Sequence, residues 1–118
     1  MAGIAGQPLA SIGQGTQQAI DAAKAAGFSG LSLVTVIAIA RAESGLNPNA
    51  QNTNTDGSLD RGILQFNSRW HPEVTDSCAY NVNCAFQAAY RVSNQGRDFS
   101  PWATYTNKQY AQYLSNTG

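Results

Sequence analysis

The first apolar pattern along the chain has helical spacing and begins at about Thr16. Gly27 follows it and is a typical helix end, so we expect a short helix here. Residues 1–13 are rich in Gly, Ala, Ser and Pro without periodicity, and we expect them to form a flexible N-terminal arm before a domain over 14–118. The apolar face of the helix would hold Ala19, Ile20, Ala23 and Ala26.

The second pattern, SLVTVIAIARAES, is apolar nearly all round. Its β-branched residues would permit a buried strand. However, Ser32 can cap the start of a helix, and Gly45 with Pro48 can end one. We therefore predict a buried central helix over about 32–43, with Glu43 in its last turn.

The next stretch, NAQNTNTDGSLDRG, is polar and rich in turn residues. Its Asp56-Gly57 pair is a strong hairpin signal between two short polar strands, and Asp60 lies just past that turn. An apolar segment at 63–66 comes next. Further along, CAFQAAYRVSNQG predicts a helix ended by Gly96, and KQYAQYLS predicts a short closing helix.

These elements predict an α+β fold that is mainly helical, with one small polar β-hairpin. A chain of 118 residues, 42% of them apolar, suits one compact domain. Seven Lys and Arg balance seven Asp and Glu without concentrating either sign, so we expect neither a nucleic-acid nor a membrane partner. The longest mostly apolar run, 33–40, is far shorter than the roughly 20 residues that span a bilayer, and the first residues lack the pattern of a secretory signal.

The two cysteines, Cys78 and Cys84, are close enough in sequence for a disulfide that closes a short loop. Two unpaired, buried thiols are the alternative. Together with His71 they could supply three zinc ligands, but their spacing matches none of the usual structural zinc sites. The polar hairpin has partial EF-hand spacing, but Ile63 occupies the place of the bidentate Glu. We therefore expect neither a metal nor a cofactor.

Glu43 and Asp60 are two acids with opposed surroundings. Glu43 is the one acid in a long apolar stretch, and both a helix C-terminus and burial would raise its pKa. A carboxyl that stays protonated near neutral pH can donate a proton to a leaving glycosidic oxygen. Asp60 lies among Asn, Thr and Ser, which can hydrogen-bond its anion. Either acid alone would be an ordinary surface or turn residue, but together they predict one proton donor and one ionised nucleophile or cation stabiliser.

The residues around Asp60 strengthen this interpretation. Gln65 and Asn67, at alternate positions of an expected strand, would point to one side and could hydrogen-bond sugar hydroxyls. Trp70 and Trp102 could stack on pyranose rings, although tryptophans are also common in cores. The pattern therefore favours a sugar-binding cleft beside the hairpin.

The segment AESGLNPNAQNTNTDGSLDRGILQFNSRW resembles the catalytic segment of c-type lysozymes, and AIARAESGLNPNA is similar to the ESG motif of bacterial and phage lytic transglycosylases. A weaker likeness continues through NCAFQAAYRVSNQGRDFSPWATY. The resemblance implies a lysozyme-like fold with Glu43 as the general acid and Asp60 as the second carboxylate, and the pairing inferred above is that family's own arrangement. It also implies that the sugar cleft is lined by Asn52, Asn54, Gln65, Asn67, Trp70, Pro101 and Trp102.

The chain departs from the c-type lysozyme pattern in three respects. His71 stands where a second aromatic residue usually follows the position of Trp70, which weakens sugar stacking there. At most one disulfide can form, where these lysozymes use several. The strong positive charge that attracts them to anionic cell walls is missing, so we expect a domain of a larger protein or of a virion, acting outside the cell or facing the cell wall.

We expect a glycosidase that cleaves the β-1,4 bond between N-acetylmuramic acid and N-acetylglucosamine in peptidoglycan. Glu43 would protonate the leaving oxygen, and Asp60 would stabilise or trap the oxocarbenium-like centre. The alternative is lytic transglycosylation by Glu43 alone, in which the muramyl 6-hydroxyl attacks and a 1,6-anhydro product forms. Asp60 favours hydrolysis, because its position is commonly not acidic in transglycosylases. A sugar-binding module without activity is a third interpretation, against which the retained pair of carboxylates argues.

Overall fold

A computed structural model describes residues 7–116. Its strands form an antiparallel sheet in the order β1-β2-β3, and the predicted α+β fold, mainly helical, is confirmed. The strands are β1 (Gln51–Thr53), β2 (Leu59–Arg61) and β3 (Phe66–Asn67). The helices are α1 (Gln7–Ala26), α2 (Gly30–Ser44), α3 (Asp76–Ala79), α4 (Val82–Val92), α5 (Ala103–Thr106) and a C-terminal 3₁₀ helix (Gln109–Asn116).

Helix α1 begins earlier than the sequence pattern predicted. It starts at Gln7 rather than near Thr16, so residues 7–13 of the expected arm belong to the helix. Residues 1–6 of that arm lie outside the described part of the chain. Pro8 falls in the first turn of α1, where a helix has no internal hydrogen bond for proline to break. The helix packs against both α2 and α4.

Helix α2 is the buried central helix predicted from the sequence, and Glu43 lies in its last turn. Its N-cap is Ser29 rather than Ser32. Ser32 acts from inside the first turn, where its Oγ accepts the backbone N–H of Ser29 at 3.2 Å. Gly45 ends the helix in the left-handed conformation, with φ of 64°. Because residues 35–40 are buried, the helix carries Glu43 at the edge of the core.

The polar sheet has one strand more than the predicted hairpin. A turn that contains Asp56-Gly57 joins β1 to β2, and Asn52 lies opposite Asp60. β3 pairs on the other side of β2, where Asn67 lies opposite Asp60. Residues that pair directly across strands project from the same face. Asn52, Asp60 and Asn67 therefore form a polar row across the sheet.

The link from β2 to β3 is fixed by Arg61 and Gly62. Gly62 has a φ of 80°, and a Cβ there would collide with the carbonyl oxygen of Ala79, so only glycine fits. The side chain of Arg61 is buried and forms an ion pair with Asp76 at 2.9 Å. It also donates hydrogen bonds to the backbone carbonyls of Phe66, His71 and Val74.

The hydrophobic core lies beneath the sheet and around α2. Buried aromatic rings meet there, with Trp102 contacting Phe66 and Phe99 at ring-centre distances of 5.9 and 6.1 Å. The disulfide expected between Cys78 and Cys84 joins α3 to α4, so neither cysteine is available as a zinc ligand. No helix within residues 7–116 is long and apolar enough to cross a bilayer.

Candidate active site

A cavity of about 260 Å³ lies where the end of α2, the sheet and the start of α5 meet. It brings together most of the site residues predicted from the sequence. Asn52 and Asn54 are the exceptions, because they lie in β1 and the hairpin turn and do not border the cavity. The lining residues are Glu43, Asp60, Gln65, Phe66, Asn67, Trp70, His71, Pro101, Trp102 and Ala103.

Glu43 enters the cavity from the last turn of α2. Its carboxyl is half-buried, and its Oε2 accepts a hydrogen bond from Thr104 Oγ1 at 2.7 Å. Burial raises the pKa of Glu43 above its ordinary value, the Thr104 hydrogen bond offsets part of that rise, and the negative charge of Asp60 adds to it. The result is a carboxyl that holds its proton to higher pH than an exposed glutamate.

Asp60 borders the same cavity from β2, in the middle of the polar row. Its Oδ1 accepts a hydrogen bond from Asn67 Nδ2 at 3.0 Å. The same amide nitrogen contacts Ser58 Oγ at 3.1 Å, and the Ser58 hydroxyl donates to Asp56 Oδ1 at 2.6 Å. Asp60 therefore belongs to a connected polar network, whereas burial is the main influence on the carboxyl of Glu43.

Gln65 borders the cavity but does not lie in a strand. It belongs to the turn before β3, with a φ of 54°, so its predicted strand alternation with Asn67 is wrong. Its amide nitrogen donates to the carbonyls of Gly62 at 2.9 Å and Ala50 at 3.2 Å. Its Oε1 accepts from Asn52 Nδ2 at 2.7 Å. With both ends of the amide engaged, Gln65 joins β1 to the turn.

The two tryptophans predicted to stack on sugars differ in exposure. Trp70 is 73% exposed, its backbone N–H is held by Asn67 Oδ1 at 3.1 Å, and the Arg69 guanidinium lies 5.8 Å from its ring centre. Trp102 is 5% exposed, and its indole N–H donates to the carbonyl of Leu64 at 3.0 Å. Trp70 can offer a ring face to a ligand, whereas Trp102 forms part of the cavity wall.

Asn54 and Pro101 complete the predicted set. Asn54 lies in the hairpin turn, where its Nδ2 contacts Ser58 Oγ at 3.2 Å and so joins the network that reaches Asp60. Pro101 is exposed beside the cavity, immediately before Trp102.

Thr104 and Ser44 support the site from outside the cavity lining, and neither was identified from the sequence. Thr104 lies in the segment SPWATY, but no local pattern connects it with Glu43, which stands 61 positions earlier. Ser44, next to Glu43, donates its hydroxyl to the carbonyl of Ile63 at 2.7 Å and so ties the end of α2 to the turn before β3. The sequence feature that could have identified Ser44 is its position in the ESG motif, directly after Glu43.

His71, noted from the sequence as a departure, borders the cavity in place of an aromatic residue. Its ring packs edge-on to Phe66 at 5.7 Å, and its Nδ1 contacts Glu73 Oε2 at 3.2 Å. Within residues 7–116, no group of three His, Cys, Asp or Glu side chains is placed to hold a metal ion.

The fold agrees with comparisons to known proteins. A protein-family profile described as "Lysozyme like domain" matches residues 20–104. The chain therefore belongs to the lysozyme-like family, a family of glycosidases.

Three curated relatives show the extent of this similarity. The chain is 34% identical over 95 residues to lysozyme C-1 of Anas platyrhynchos, a match that covers 69% of the chain and 65% of the relative. It is 31% identical over 109 residues to lysozyme C of Takifugu rubripes, covering 78% and 76%. It is 32% identical over 95 residues to lysozyme C-3 of Anas platyrhynchos, covering 69% and 74%.

Proposed function

We propose that the domain is a peptidoglycan-cleaving glycoside hydrolase, a muramidase that cuts the β-1,4 bond between N-acetylmuramic acid and N-acetylglucosamine. One observation carries the proposal. A half-buried carboxyl with a raised pKa, Glu43, shares a cavity with a second carboxyl, Asp60, that is hydrogen-bonded within a polar network. This is the division of labour that glycosidic bond hydrolysis requires. Similarity to lysozymes supports the same substrate class.

In the proposed reaction, Glu43 donates its proton to the leaving glycosidic oxygen as the bond to the anomeric carbon breaks. Positive charge develops on the sugar ring, and the Asp60 carboxylate either stabilises it or bonds to the anomeric carbon. A water molecule then attacks that carbon, any bond from Asp60 to the carbon breaks to release the Asp60 carboxylate, and the water gives a proton to the Glu43 carboxylate, which restores the acid.

We assign substrate binding to the walls of the same cavity. Trp70 supplies the exposed stacking face. Asn67 borders the cavity and positions the site, because its amide nitrogen donates to Asp60 and its amide oxygen accepts the backbone N–H of Trp70. Pro101 and Trp102 line another part of the same cavity. Asn52, Asn54 and Gln65 act by shaping the sheet and the turn, because their amides bond to other protein groups.

Lytic transglycosylation by Glu43 alone is the second candidate, and one observation favours it. Burial, rather than Asp60, is the main cause of the raised pKa of Glu43, so this acid would keep its proton without a second carboxylate. In that reaction the muramyl 6-hydroxyl replaces water, and the product ends in a 1,6-anhydro sugar.

Product analysis with an Asp60→Asn variant separates the two candidates. The side-chain amide oxygen introduced by this substitution can still accept the Asn67 hydrogen bond, so the polar row persists while the charge is lost. For a hydrolase we expect reducing muramic acid ends from the native enzyme and about 10² times less product from Asp60→Asn. Residual activity should lose its alkaline limb at lower pH, because the Asp60 charge raises the pKa of Glu43.

An Asp21→Asn variant is the matched control, since it removes an equal charge from an exposed position of α1 outside the cavity. It should retain native activity. Anhydro ends that persist at native rates in Asp60→Asn would replace the hydrolase with a transglycosylase. If the native protein releases no soluble fragments from purified cell wall at any pH, neither reaction occurs and a sugar-binding module is supported.

A further inference from the structure

Thr104 lies in α5, and the start of that helix is anchored by Trp102. The indole N–H of Trp102 donates to the carbonyl of Leu64 at 3.0 Å, and its ring packs against Phe66 and Phe99 in the core. A buried side chain therefore fixes the backbone two residues before Thr104. The position of Thr104 beside the cavity is therefore set by contacts with the core.

The hydroxyl of Thr104 has an unusual partner for a threonine in a helix. Such hydroxyls commonly donate to a backbone carbonyl in the preceding turn, as Thr106 does to Ala103 at 3.1 Å. Thr104 instead donates across to α2, to Glu43 Oε2, at 2.7 Å. That distance is typical of a well-formed O–H···O bond. Because β-branching restricts the side chain to few rotamers, this orientation costs little further entropy.

We propose that Thr104 is a positioning residue for the catalytic acid, holding Glu43 Oε2 so that the transferable proton resides on Oε1. This inference rests on the proposed role of Glu43 as proton donor. A protonated carboxyl carries its proton on one oxygen, and the other, carbonyl oxygen is the better hydrogen-bond acceptor. A hydroxyl that donates to Oε2 therefore favours the form of the acid in which Oε1 holds the proton. Thr104 selects one of two otherwise similar oxygens.

The same bond limits how strongly Glu43 holds its proton. The titratable groups that border the cavity with it are Asp60 from β2 and His71 beyond β3, and Tyr105 follows Thr104 in α5. Burial and the Asp60 charge raise the pKa of Glu43, while the Thr104 hydroxyl lowers it. A general acid works best when its pKa lies near the working pH. Thr104 therefore moderates a rise that would otherwise make proton transfer harder.

The test compares Thr104→Val, Thr104→Ser and the control Thr106→Val. Valine keeps the branched shape of threonine and removes the donor. For Thr104→Val we expect a kcat on peptidoglycan about tenfold lower, the effect of one lost hydrogen bond to a charged group, with KM unchanged. Its alkaline limb should move to higher pH. Thr104→Ser keeps the hydroxyl and should retain the native kcat and the native alkaline limb. Thr106→Val should change neither kcat nor the alkaline limb.

A second readout does not need activity. The chain contains two glutamates, Glu43 and Glu73, so carbon-13 labelling of glutamate gives two carboxyl resonances to titrate by NMR. Thr104→Val should raise the midpoint of Glu43 and leave that of Glu73 unchanged. If Thr104→Val lowers kcat or Tm but leaves the Glu43 midpoint in place, Thr104 is merely structural and the inference is overturned. If the native protein has no activity, the proposed function fails, whereas the NMR midpoints still decide whether Thr104 acts on Glu43.

Discussion

Replacing Glu43 with glutamine should lower activity and raise stability together. The glutamine has the same size, and its amide oxygen can accept the Thr104 hydroxyl that now bonds to Oε2. The contact is therefore retained, and the proton donor alone is removed. A positioned general acid contributes about 10² to 10⁴ to the rate, so turnover on peptidoglycan should fall by about 10² or more.

The gain in stability follows from the raised pKa of Glu43. Burial is the main cause of the rise, the Thr104 bond reduces it and the Asp60 charge adds to it. A group whose folded pKa is raised stabilises the fold below its unfolded pKa, and this contribution is lost as the pH rises through the folded pKa. At a pH above the folded pKa, each unit by which the pKa of Glu43 is raised lowers the free energy of unfolding by about 1.4 kcal/mol. Because glutamine does not ionise, Glu43→Gln should be the more stable protein at neutral pH.

Thermal unfolding of both proteins from about pH 4 to 8 measures this difference. The two Tm values should converge as the pH falls through the folded pKa of Glu43 towards its ordinary value of 4.5. At neutral pH, each 1 kcal/mol gained should raise Tm by about 4 to 8 °C for a domain of this size.

Glu73→Gln is the matched control, because it changes the only other glutamate in the chain. Glu73 is exposed, and its pKa is lowered, first by its own backbone N–H and then by His71. A group with a lowered folded pKa stabilises above its unfolded pKa, so this control should be slightly less stable than the native protein at neutral pH. Native turnover in Glu43→Gln, or a Tm no higher than native at any pH, would refute the reasoning.

Two further predictions test the hydrogen bonds of Arg61 beside the sheet and the role of Trp70 at the cavity. Arg61→Met would leave the carbonyls of Phe66, His71 and Val74 without their side-chain donor. Because each lost hydrogen bond costs about 1 kcal/mol or more, we expect the free energy of unfolding in urea to fall by about 3 kcal/mol. A loss below about 1 kcal/mol would contradict the bracing role of Arg61. Trp70→Ala should raise KM for a peptidoglycan oligosaccharide by up to about tenfold without changing kcat or Tm, since the ring is exposed, and an unchanged KM would remove Trp70 from the sugar site.

The position of Glu43 could be predicted because the signals for α2 are local. A long apolar run requires a buried element, and Gly45 marks its end within a few residues of the acid. The start was less certain, because Ser29 and Ser32 both carry a capping hydroxyl and act together. The register of the hairpin was equally local, since the Asp56-Gly57 turn defines which residues lie opposite each other.

Other parts of the site depend on contacts that no local pattern encodes. α3 and α5 have four residues each, too few for a periodic signal, and are held by a disulfide and by Trp102. The contact from Thr104 to Glu43 joins positions 61 residues apart. Gln65 was misplaced because strand alternation assumes extended backbone, whereas this residue adopts a left-handed turn.

The turn at residues 62–65 connects all three parts of the proposed catalytic apparatus. Its successive carbonyl oxygens, from 62 to 64, accept hydrogen bonds from the side chains of Gln65, Ser44 and Trp102. Ser44 follows Glu43 in α2, Trp102 begins the helix that carries the hydroxyl partner of Glu43, and the turn itself continues from the strand of the second carboxylate. The turn is buried throughout, and the bonds from Gln65 and Trp102 are buried with it, which strengthens them electrostatically. A displacement of this turn would therefore move Glu43, its hydroxyl partner Thr104 and Asp60 together. The distance between the two carboxyls thus depends on the turn as well as on β2 and α2.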